Sequence, residues 1–128
     1  MTDWEVAYRE GITEKIQDRA ALEALLDQFQ ARREAMPFLV DLAGPHGSLT
    51  FGVGRADTIV THTPLQSNPP FHVSRGDGPT GGVVHYYYFG SWTEFGSENV
   101  VTWERARKVL LHFYETGKLS SLIEWARG

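Results

Sequence analysis

Residues 83–90, which read VVHYYYFG, decide the kind of fold that this chain can adopt, and SWTEF follows at 91–95. A half-buried strand alternates apolar and polar side chains, because successive residues point to opposite sides of the sheet. This stretch does not alternate, since one face would carry Val84, Tyr86 and Tyr88 and the other Val83, His85, Tyr87 and Phe89. Each face must therefore meet other apolar residues or a binding partner.

The 128 residues have the size and composition of one globular domain, which we predict to span 1–128. A chain of this length buries roughly two thirds of the surface that its unfolded form exposes. The apolar fraction of 41% and the charged fraction of 22% are ordinary for folded proteins, so neither disorder nor a coiled coil is indicated. The chain has no cysteine, which excludes disulfides, thiol nucleophiles and zinc sites built on thiolates.

The charge balance restricts the class of partner. Twelve Lys and Arg residues against sixteen Asp and Glu residues give a net charge of −4. Binding of nucleic acid requires clustered cations, so this balance argues against direct nucleic-acid binding and favours a basic protein partner. The sequence has neither a run of about 18 apolar residues nor the pattern of a signal peptide. We therefore expect a cytoplasmic protein with no membrane partner.

Two segments have the pattern of amphipathic helices. Asp18 has the side chain of an N-cap, and the apolar residues at 22, 25, 26 and 29 follow it on one helical face. Thr102 occupies the capping position of a second helix, with its apolar face at 106, 109, 110 and 113. Gly117 stands where a left-handed residue is expected to end this second helix.

The remaining apolar segments predict strands. They are 4–9, 12–17, 38–42, 48–53, 58–62, 71–74 and 83–89, and 119–125 is predicted as a short terminal strand or turn. Short, turn-rich connections favour antiparallel pairing. We predict an α+β fold, with a mostly antiparallel sheet of five to seven strands and both helices packed on one face. The other face would be covered only by loops, leaving one set of aromatic residues of 83–89 partly exposed.

The residue types that catalysis or metal binding requires do not form a recognisable motif. The five histidines are scattered, without a His-x-His or His-Glu-x-x-His spacing. His62, His72 and His85 fall on three predicted strands, so a cluster of these residues in space stays open. Asp77 lies between glycines in a loop, but the residues after it offer almost none of the oxygen ligands of a calcium site. We predict no catalytic residue, no metal and no cofactor.

Aromatic and acidic residues lie close together in the sequence around 77–98. Trp92 with Tyr86 and Tyr88 has the composition of a platform for single-stranded nucleic acid, but such a platform needs a basic groove. Between Arg75 and Arg105 the sequence has no Lys or Arg. Aromatic residues beside carboxylates are typical of protein–protein contacts with a positive partner. The predicted partner-binding residues are Asp77, Tyr86, Tyr88, Trp92, Glu94 and Glu98.

Several short motifs occur in a characteristic order. They are PFLV at 37–40, LTFGVG at 49–54, PPF at 69–71 leading to SRGD at 74–77, YYYFG at 86–90 with Glu94-Phe95 after it, then Ala106, Phe113, Thr116-Gly117, Ile123 and Trp125. From about 18 to 125 the chain resembles immunity protein family 1, the inhibitors found beside polymorphic bacterial toxins. Thr102-Trp103 departs from the pattern of this family, in which a proline is expected to open the last helix.

The resemblance implies an inhibitor without enzymatic activity, and it implies no catalytic residue. Its partner would be a cognate toxin C-terminal domain, frequently a nucleic-acid deaminase or nuclease, whose active site it occludes. An acidic surface fits this expectation, because it resembles phosphate to a toxin with a basic active-site groove. The three aromatic residues of the predicted set would fill pockets, and its three carboxylates would pair with Lys or Arg of the toxin.

Two other interpretations stay open. One is a small-molecule-binding module or enzyme with a histidine-lined pocket, formed by His62, His72 or His85; a concave pocket would favour it, and a flat acidic face would favour inhibition. The other is a homodimeric structural protein that uses the exposed aromatic residues on itself. As an inhibitor, the free protein is expected to be a monomer or a weak homodimer.

Overall fold

The structure, a computed structural model, describes residues 4–8, 11–64, 72–76, 78–88 and 90–127. The helices are α1 (Arg19–Ala31) and α2 (Trp103–Thr116), and a short 3-10 helix covers Ser97–Asn99. The strands are β1 (Trp4–Tyr8), β2 (Ile12–Ile16), β3 (Phe38–Gly44), β4 (Gly47–Val53), β5 (Asp57–Thr58), β6 (Val60–Thr63), β7 (His72–Arg75), β8 (Val83–Tyr88), β9 (Ser91–Gly96), β10 (Val101–Thr102) and β11 (Glu124–Arg127). The predicted α+β class is confirmed. The predicted strand ends at Arg9, Phe71 and Phe89 lie outside the described residues.

Nine strands of the described chain form one sheet, in which seven follow the order β11-β7-β6-β4-β3-β1-β2. Each neighbouring pair in that order is antiparallel. β8 and β9 form an antiparallel hairpin, and β8 joins β3 through one parallel pair, Phe38 with Tyr87. β5 and β10 pair separately. The prediction of a mostly antiparallel sheet is confirmed, and the predicted number of strands is too low.

The strands that the sequence did not predict are short or have no buried apolar face. The structure divides the predicted strand 58–62 into β5 and β6, and β5 and β10 have only two residues each. Every position of β9 is exposed or half-buried. An apolar–polar alternation with one buried side is the main sign of a strand in a sequence, and these segments do not show it.

Both helices are capped by the residues that the sequence predicts. The Asp18 carboxylate accepts a hydrogen bond of 2.8 Å from a backbone N–H in the first turn of α1. The Thr102 hydroxyl oxygen does the same for α2 at 3.3 Å. α2 ends at Gly117, whose φ of 73° is left-handed and whose N–H donates to the Phe113 carbonyl oxygen at 2.7 Å. Each cap satisfies a backbone group that the helix leaves unpaired.

Both helices pack on the same face of the sheet, as predicted. Buried side chains of both helices share one core with the strands, including Leu22, Leu26, Phe29, Val40, Leu42, Leu49, Phe51, Val109, Leu110 and Phe113. Edge-to-face ring contacts join the layers, since Phe51 lies 6.0 Å from Phe29 of α1 and 5.9 Å from Trp103 of α2. The Arg107 guanidinium of α2 pairs with the Asp27 carboxylate of α1 at 2.5 Å.

The opposite face of the sheet is partly covered by the β8–β9 hairpin. A second cluster of buried residues, Leu39, Ile59, Val84 and Tyr86, forms there, with Phe95 and Val100 packed against it. The Tyr86 ring lies directly on Gly52 of β4, where an added Cβ would come within 2.3 Å of the ring. The expectation that only loops cover this face is therefore wrong, because the hairpin's own apolar side supplies the cover.

The segment after β9 fixes the hairpin to the main sheet. The Ser74 hydroxyl of β7 donates to the Asn99 carbonyl oxygen at 2.6 Å, and the Asn99 side-chain amide donates to the Ser74 carbonyl oxygen at 3.0 Å. The Gly76 N–H donates to the Glu98 carbonyl oxygen at 2.7 Å. An added Cβ at Gly76 would lie 1.6 Å from the Val100 carbonyl oxygen, so only glycine permits this approach. The hairpin is consequently held in one position.

Candidate functional site

The register of the hairpin sorts its side chains into two faces. Directly paired residues of an antiparallel ladder point to the same face. His85 pairs with Glu94, Tyr87 pairs with Trp92, and Val83 pairs with Gly96. These alternate with the buried side of Val84 and Tyr86, so they point away from the second core cluster, and the half-buried Tyr87 ring packs against the main core. We call Val83, His85, Tyr87, Trp92 and Glu94 the outer face.

A tryptophan held by two neighbours is the most prominent feature of the outer face. Trp92 is 51% exposed. Its ring meets Tyr87 edge-on at 5.6 Å and His85 edge-on at 6.5 Å, between ring centroids. A shallow depression of about 440 Å³ is lined by His85 and Trp92. The indole is thus both exposed and oriented, so it loses little conformational freedom when a partner covers it.

Carboxylates flank this tryptophan along β9. Glu94 is 61% exposed in its side chain, and its Oε2 lies 3.1 Å from Nε2 of His85. Glu98 follows in the 3-10 helix and its carboxylate occupies the space where a Cβ of Gly96 would point, at 2.4 Å. Because Gly96 has outer-face register, Glu98 lies at the base of the same face. The outer face is therefore both aromatic and acidic.

Three of the six predicted partner-binding residues come together in this way, namely Trp92, Glu94 and Glu98. Asp77 lies outside the described residues. Tyr86 and Tyr88 belong to the opposite side of the hairpin, since they alternate with the outer-face residues. The structure therefore divides the predicted set between two faces.

Tyr86 is fully buried, with 0% of its surface exposed, so its predicted contact with a partner is corrected. Its ring packs on Gly52 and meets Phe95 at 6.3 Å between ring centroids. Burial raises the pKa of its hydroxyl, because the charged phenolate is disfavoured away from water. Tyr86 was predicted to be exposed because both faces of β8 carry aromatic residues. The sequence alone does not show which of the two faces is buried.

Tyr88 lies at the border between the hairpin and the uncovered part of the sheet. It is 36% exposed, and its hydroxyl donates to Oδ2 of Asp41 at 2.8 Å. Burial, together with the hydrogen bond to Asp41, raises the pKa of Tyr88 to about 12. Oδ1 of Asp41 accepts a second hydrogen bond from the Thr50 hydroxyl. This network fixes the end of the hairpin against β3 and β4.

His85 and Tyr87 were not predicted from the sequence as companions of Trp92. The information that identifies them is the two-residue connection at 89–90 between β8 and β9, with Gly90 at a φ of 90°. A hairpin with so short a connection has a fixed register. Counting outward from that connection pairs 88 with 91, 87 with 92 and 85 with 94. This register predicts that Tyr87 and His85 lie on the same face as Trp92.

The three histidines of the alternative interpretation do not converge. His62 and His72 are directly paired on β6 and β7, with ring centroids 5.8 Å apart, and His62 packs edge-on against Phe113. Burial, and then the neighbouring His72, lower the pKa of His62. His85 lies on the hairpin instead, paired with Glu94. The described residues contain no group of three or more His, Asp or Glu side chains that could hold a metal ion.

A second concavity, of about 480 Å³, lies where the segment after β7 meets the start of α2. It is lined by Asp57, Gly76, Gly78, Val100, Val101, Thr102, Glu104 and Arg105. Its lining includes no histidine, so it differs from the histidine-lined pocket that would favour a small-molecule module. The structure instead has an acidic, aromatic outer face, and such a face is typical of contacts with a protein partner.

Comparison with known protein families matches residues 10–127 to the family described as Immunity protein Imm1. The chain belongs to this family. The match covers nearly the whole chain, including Thr102-Trp103, where the proline was expected, so the resemblance in the sequence is confirmed. Comparison with curated proteins gives no match. None of the helices in the described residues is long and apolar enough to cross a membrane.

Membership of the Imm1 family identifies the kind of protein. Its family is that of immunity proteins, which implies a cognate toxin protein as the partner. This agrees with the acidic net charge and with the outer face, because both are features suited to a protein contact.

Proposed function

We propose that this immunity protein neutralises a cognate polymorphic toxin domain in the cytoplasm by binding over its active site through the outer face. It acts as an inhibitor and not as an enzyme. The single observation that carries the proposal is the position of Trp92 between Glu94, Tyr87 and His85 on the exposed side of a fixed hairpin.

The outer face has the properties of an interface centre. Exposed Trp and Tyr side chains dominate the binding energy of protein complexes when a partner encloses them. Trp92 is half exposed and is oriented by its ring contacts with Tyr87 and His85. A partner pocket that receives the indole therefore buries the apolar surface that Trp92 still exposes, without reordering the hairpin.

The charge of the outer face favours a toxin with a basic active-site groove. Glu94 and Glu98 lie on one face, and the sequence from 76 to 104 contains no Lys or Arg. Enzymes that act on nucleic acid bind phosphates with clustered cations. We therefore propose a nucleic-acid deaminase or nuclease as the toxin, whose groove the carboxylates occupy in place of phosphate.

Recognition explains the His85–Glu94 pair better than catalysis does. Both side chains are at least half exposed, at 50% and 61%. Acid–base groups of enzymes work in sites that exclude water, where their interactions are strong. On an open face the same pair orients Glu94 toward a partner and contributes to charge complementarity.

Growth and binding assays test the proposal together. The C-terminal domain of the protein encoded by the neighbouring gene is expressed with and without the immunity protein, and the complex is isolated. We expect growth to stop without the immunity protein and to recover with it, and Trp92→Ala to weaken the complex by about 30-fold or more.

Matched controls come from β2, an end strand of the main sheet that β1 separates from β3, the strand to which the hairpin pairs. Ile12 is 43% exposed and Glu14 is exposed, so Ile12→Ala and Glu14→Lys repeat the chemical changes of Trp92→Ala and Glu94→Lys away from the outer face. Binding should survive both controls. Failure to rescue growth would reject the proposed function, whereas rescue that tolerates both outer-face variants would reject only the proposed surface.

A further inference from the structure

Among the residues that the structure describes, no strand pairs with the outer edge of β9. The connection between β8 and β9 has two residues, so Tyr88 and Ser91 form the closing pair, which exchanges both hydrogen bonds. Because bonded and non-bonded pairs alternate, Tyr87–Trp92 and His85–Glu94 are non-bonded pairs. Their N–H and C=O groups point out of the hairpin instead of across it.

A hydrogen bond on the other side of the hairpin supports this assignment. The Tyr87 N–H donates to the Pro37 carbonyl oxygen at 2.7 Å, away from β9. Its partner Trp92 must point its own backbone groups in the opposite direction, toward the outer edge of β9. Within the described residues β9 pairs with β8 alone. Trp92 and Glu94 therefore present two successive sets of backbone donors and acceptors along that edge.

This edge has few of the features that protect an exposed strand. Natural edge strands carry lysine, proline or bulges that prevent pairing with another chain. β9 contains no Lys and no Pro, and its register with β8 runs without interruption from 91 to 96. β2, the strand at the end of the main sheet, carries Lys15. An open, regular edge beside an exposed tryptophan is suited to pairing with a further strand.

We infer that β9 receives an extended segment of the cognate toxin, which adds a strand to the hairpin. This inference rests on the proposed function and specifies how the toxin is bound. Five or six residues of the toxin would match the six residues of β9. On the outer face, one side chain of that segment covers the Trp92 ring, and a Lys or Arg lies opposite Glu94.

The charges of β9 favour a toxin segment, and not a second copy of this chain, as the strand that pairs with its edge. Like charges opposed across a strand pair are destabilising, whereas opposite charges stabilise it. Two β9 strands would bring two Glu94 carboxylates into one short ladder, with a Glu98 carboxylate at each end of it. A toxin segment with a cation opposite Glu94 makes the favourable pair that a second copy lacks.

Hydrogen-bond couplings in the complex measure the pairing directly. The immunity protein is labelled with ¹⁵N and the C-terminal toxin domain with ¹³C, and scalar couplings are recorded across intermolecular hydrogen bonds. We expect correlations from the amide nitrogens of Trp92 and Glu94 to toxin carbonyls, and none from Thr93, whose N–H bonds within the hairpin. Replacing the Trp92 amide by an ester should weaken the complex about three- to tenfold while the indole is retained.

The outcomes separate this inference from the proposed function. A complex that forms and protects the toxin target, but shows no such couplings and binds the ester variant equally well, overturns strand addition and leaves inhibition standing. Lack of any complex overturns both. Couplings that appear in a mixture of ¹⁵N-labelled and ¹³C-labelled copies of the free protein would identify a second copy as the occupant, which also overturns the inference.

Discussion

Gly52 has no side chain at the point where the Tyr86 ring crosses the sheet. We predict that Gly52→Ala destabilises the protein by about 1–3 kcal/mol, because a Cβ at this position would lie 2.3 Å from the ring and force it to move. Urea unfolding followed by circular dichroism measures the change. The double variant Gly52→Ala/Tyr86→Val removes the clash, so its loss should be smaller than the sum of the two single losses. Strictly additive losses would contradict the close packing.

His62 makes the stability depend on pH. Its pKa in the folded state lies below the usual 6.5, chiefly through burial and then through His72, so the unfolded state binds more protons than the folded state. The stability that the neutral ring provides is present above pH 6.5 and is lost as the pH falls toward the folded pKa. We expect a lower urea midpoint at pH 5 than at pH 7.5.

The matched variants for this pH effect are His62→Gln and His112→Gln. His112 is exposed on α2, so its replacement removes a histidine without removing the partly buried ring of His62. The difference between the urea midpoints at pH 5 and pH 7.5 should shrink in His62→Gln and stay in His112→Gln. An unchanged difference in His62→Gln would assign the acid sensitivity to other groups.

The β8–β9 hairpin is the element that separates folding from binding, because each of its faces has one role. We predict that Glu94→Lys changes the free energy of unfolding by about 0.5 kcal/mol or less, since the side chain is exposed. Tyr86→Ala should cost about 3–5 kcal/mol, because it empties the second core cluster. Thermal and urea unfolding check both values. Strong destabilisation by Glu94→Lys would show that the outer face contributes to folding.

The helices and strands differ in how well the sequence predicts them. α1 and α2 were predicted together with their caps, because Asp18, Thr102 and Gly117 act locally and need no tertiary contact. The strands with one buried apolar side were predicted as well. β9 was not, because its outer side carries Trp92 and Glu94 and so has no apolar periodicity. The ends of an element can be predicted from the sequence where neighbouring residues determine them, as the caps of α1 and α2 do.

The candidate site was predicted in part for a related reason. Aromatic and acidic residues lie close together in the sequence, and this is why Trp92 and Glu94 were predicted to bind a partner. The sequence does not say which face of β8 is buried, since Val84 and Val83 are equally apolar and Tyr86 and Tyr87 equally aromatic. That choice is made by Gly52, more than thirty residues earlier in the chain, whose bare backbone receives Tyr86. A contact between distant residues therefore decides the site.

The whole molecule is acidic, and its net charge of −4 acts at distances beyond the interface. An acidic protein is drawn to a basic toxin through long-range attraction, which raises the association rate and is screened by salt. We predict that the association rate constant for the toxin domain falls by about tenfold or more between 50 mM and 500 mM NaCl, while the dissociation rate constant changes little. Stopped-flow tryptophan fluorescence and surface plasmon resonance measure both rates.

Charge variants inside and outside the outer face distinguish local from overall attraction. Glu94→Lys and Glu14→Lys raise the net charge equally, but only Glu94 lies on the outer face. If the toxin docks there, Glu94→Lys should slow association more than Glu14→Lys and should also speed dissociation, because a direct charge pair is replaced by repulsion. Equal effects of the two variants would mean that net charge alone attracts the toxin and that it docks elsewhere on the molecule.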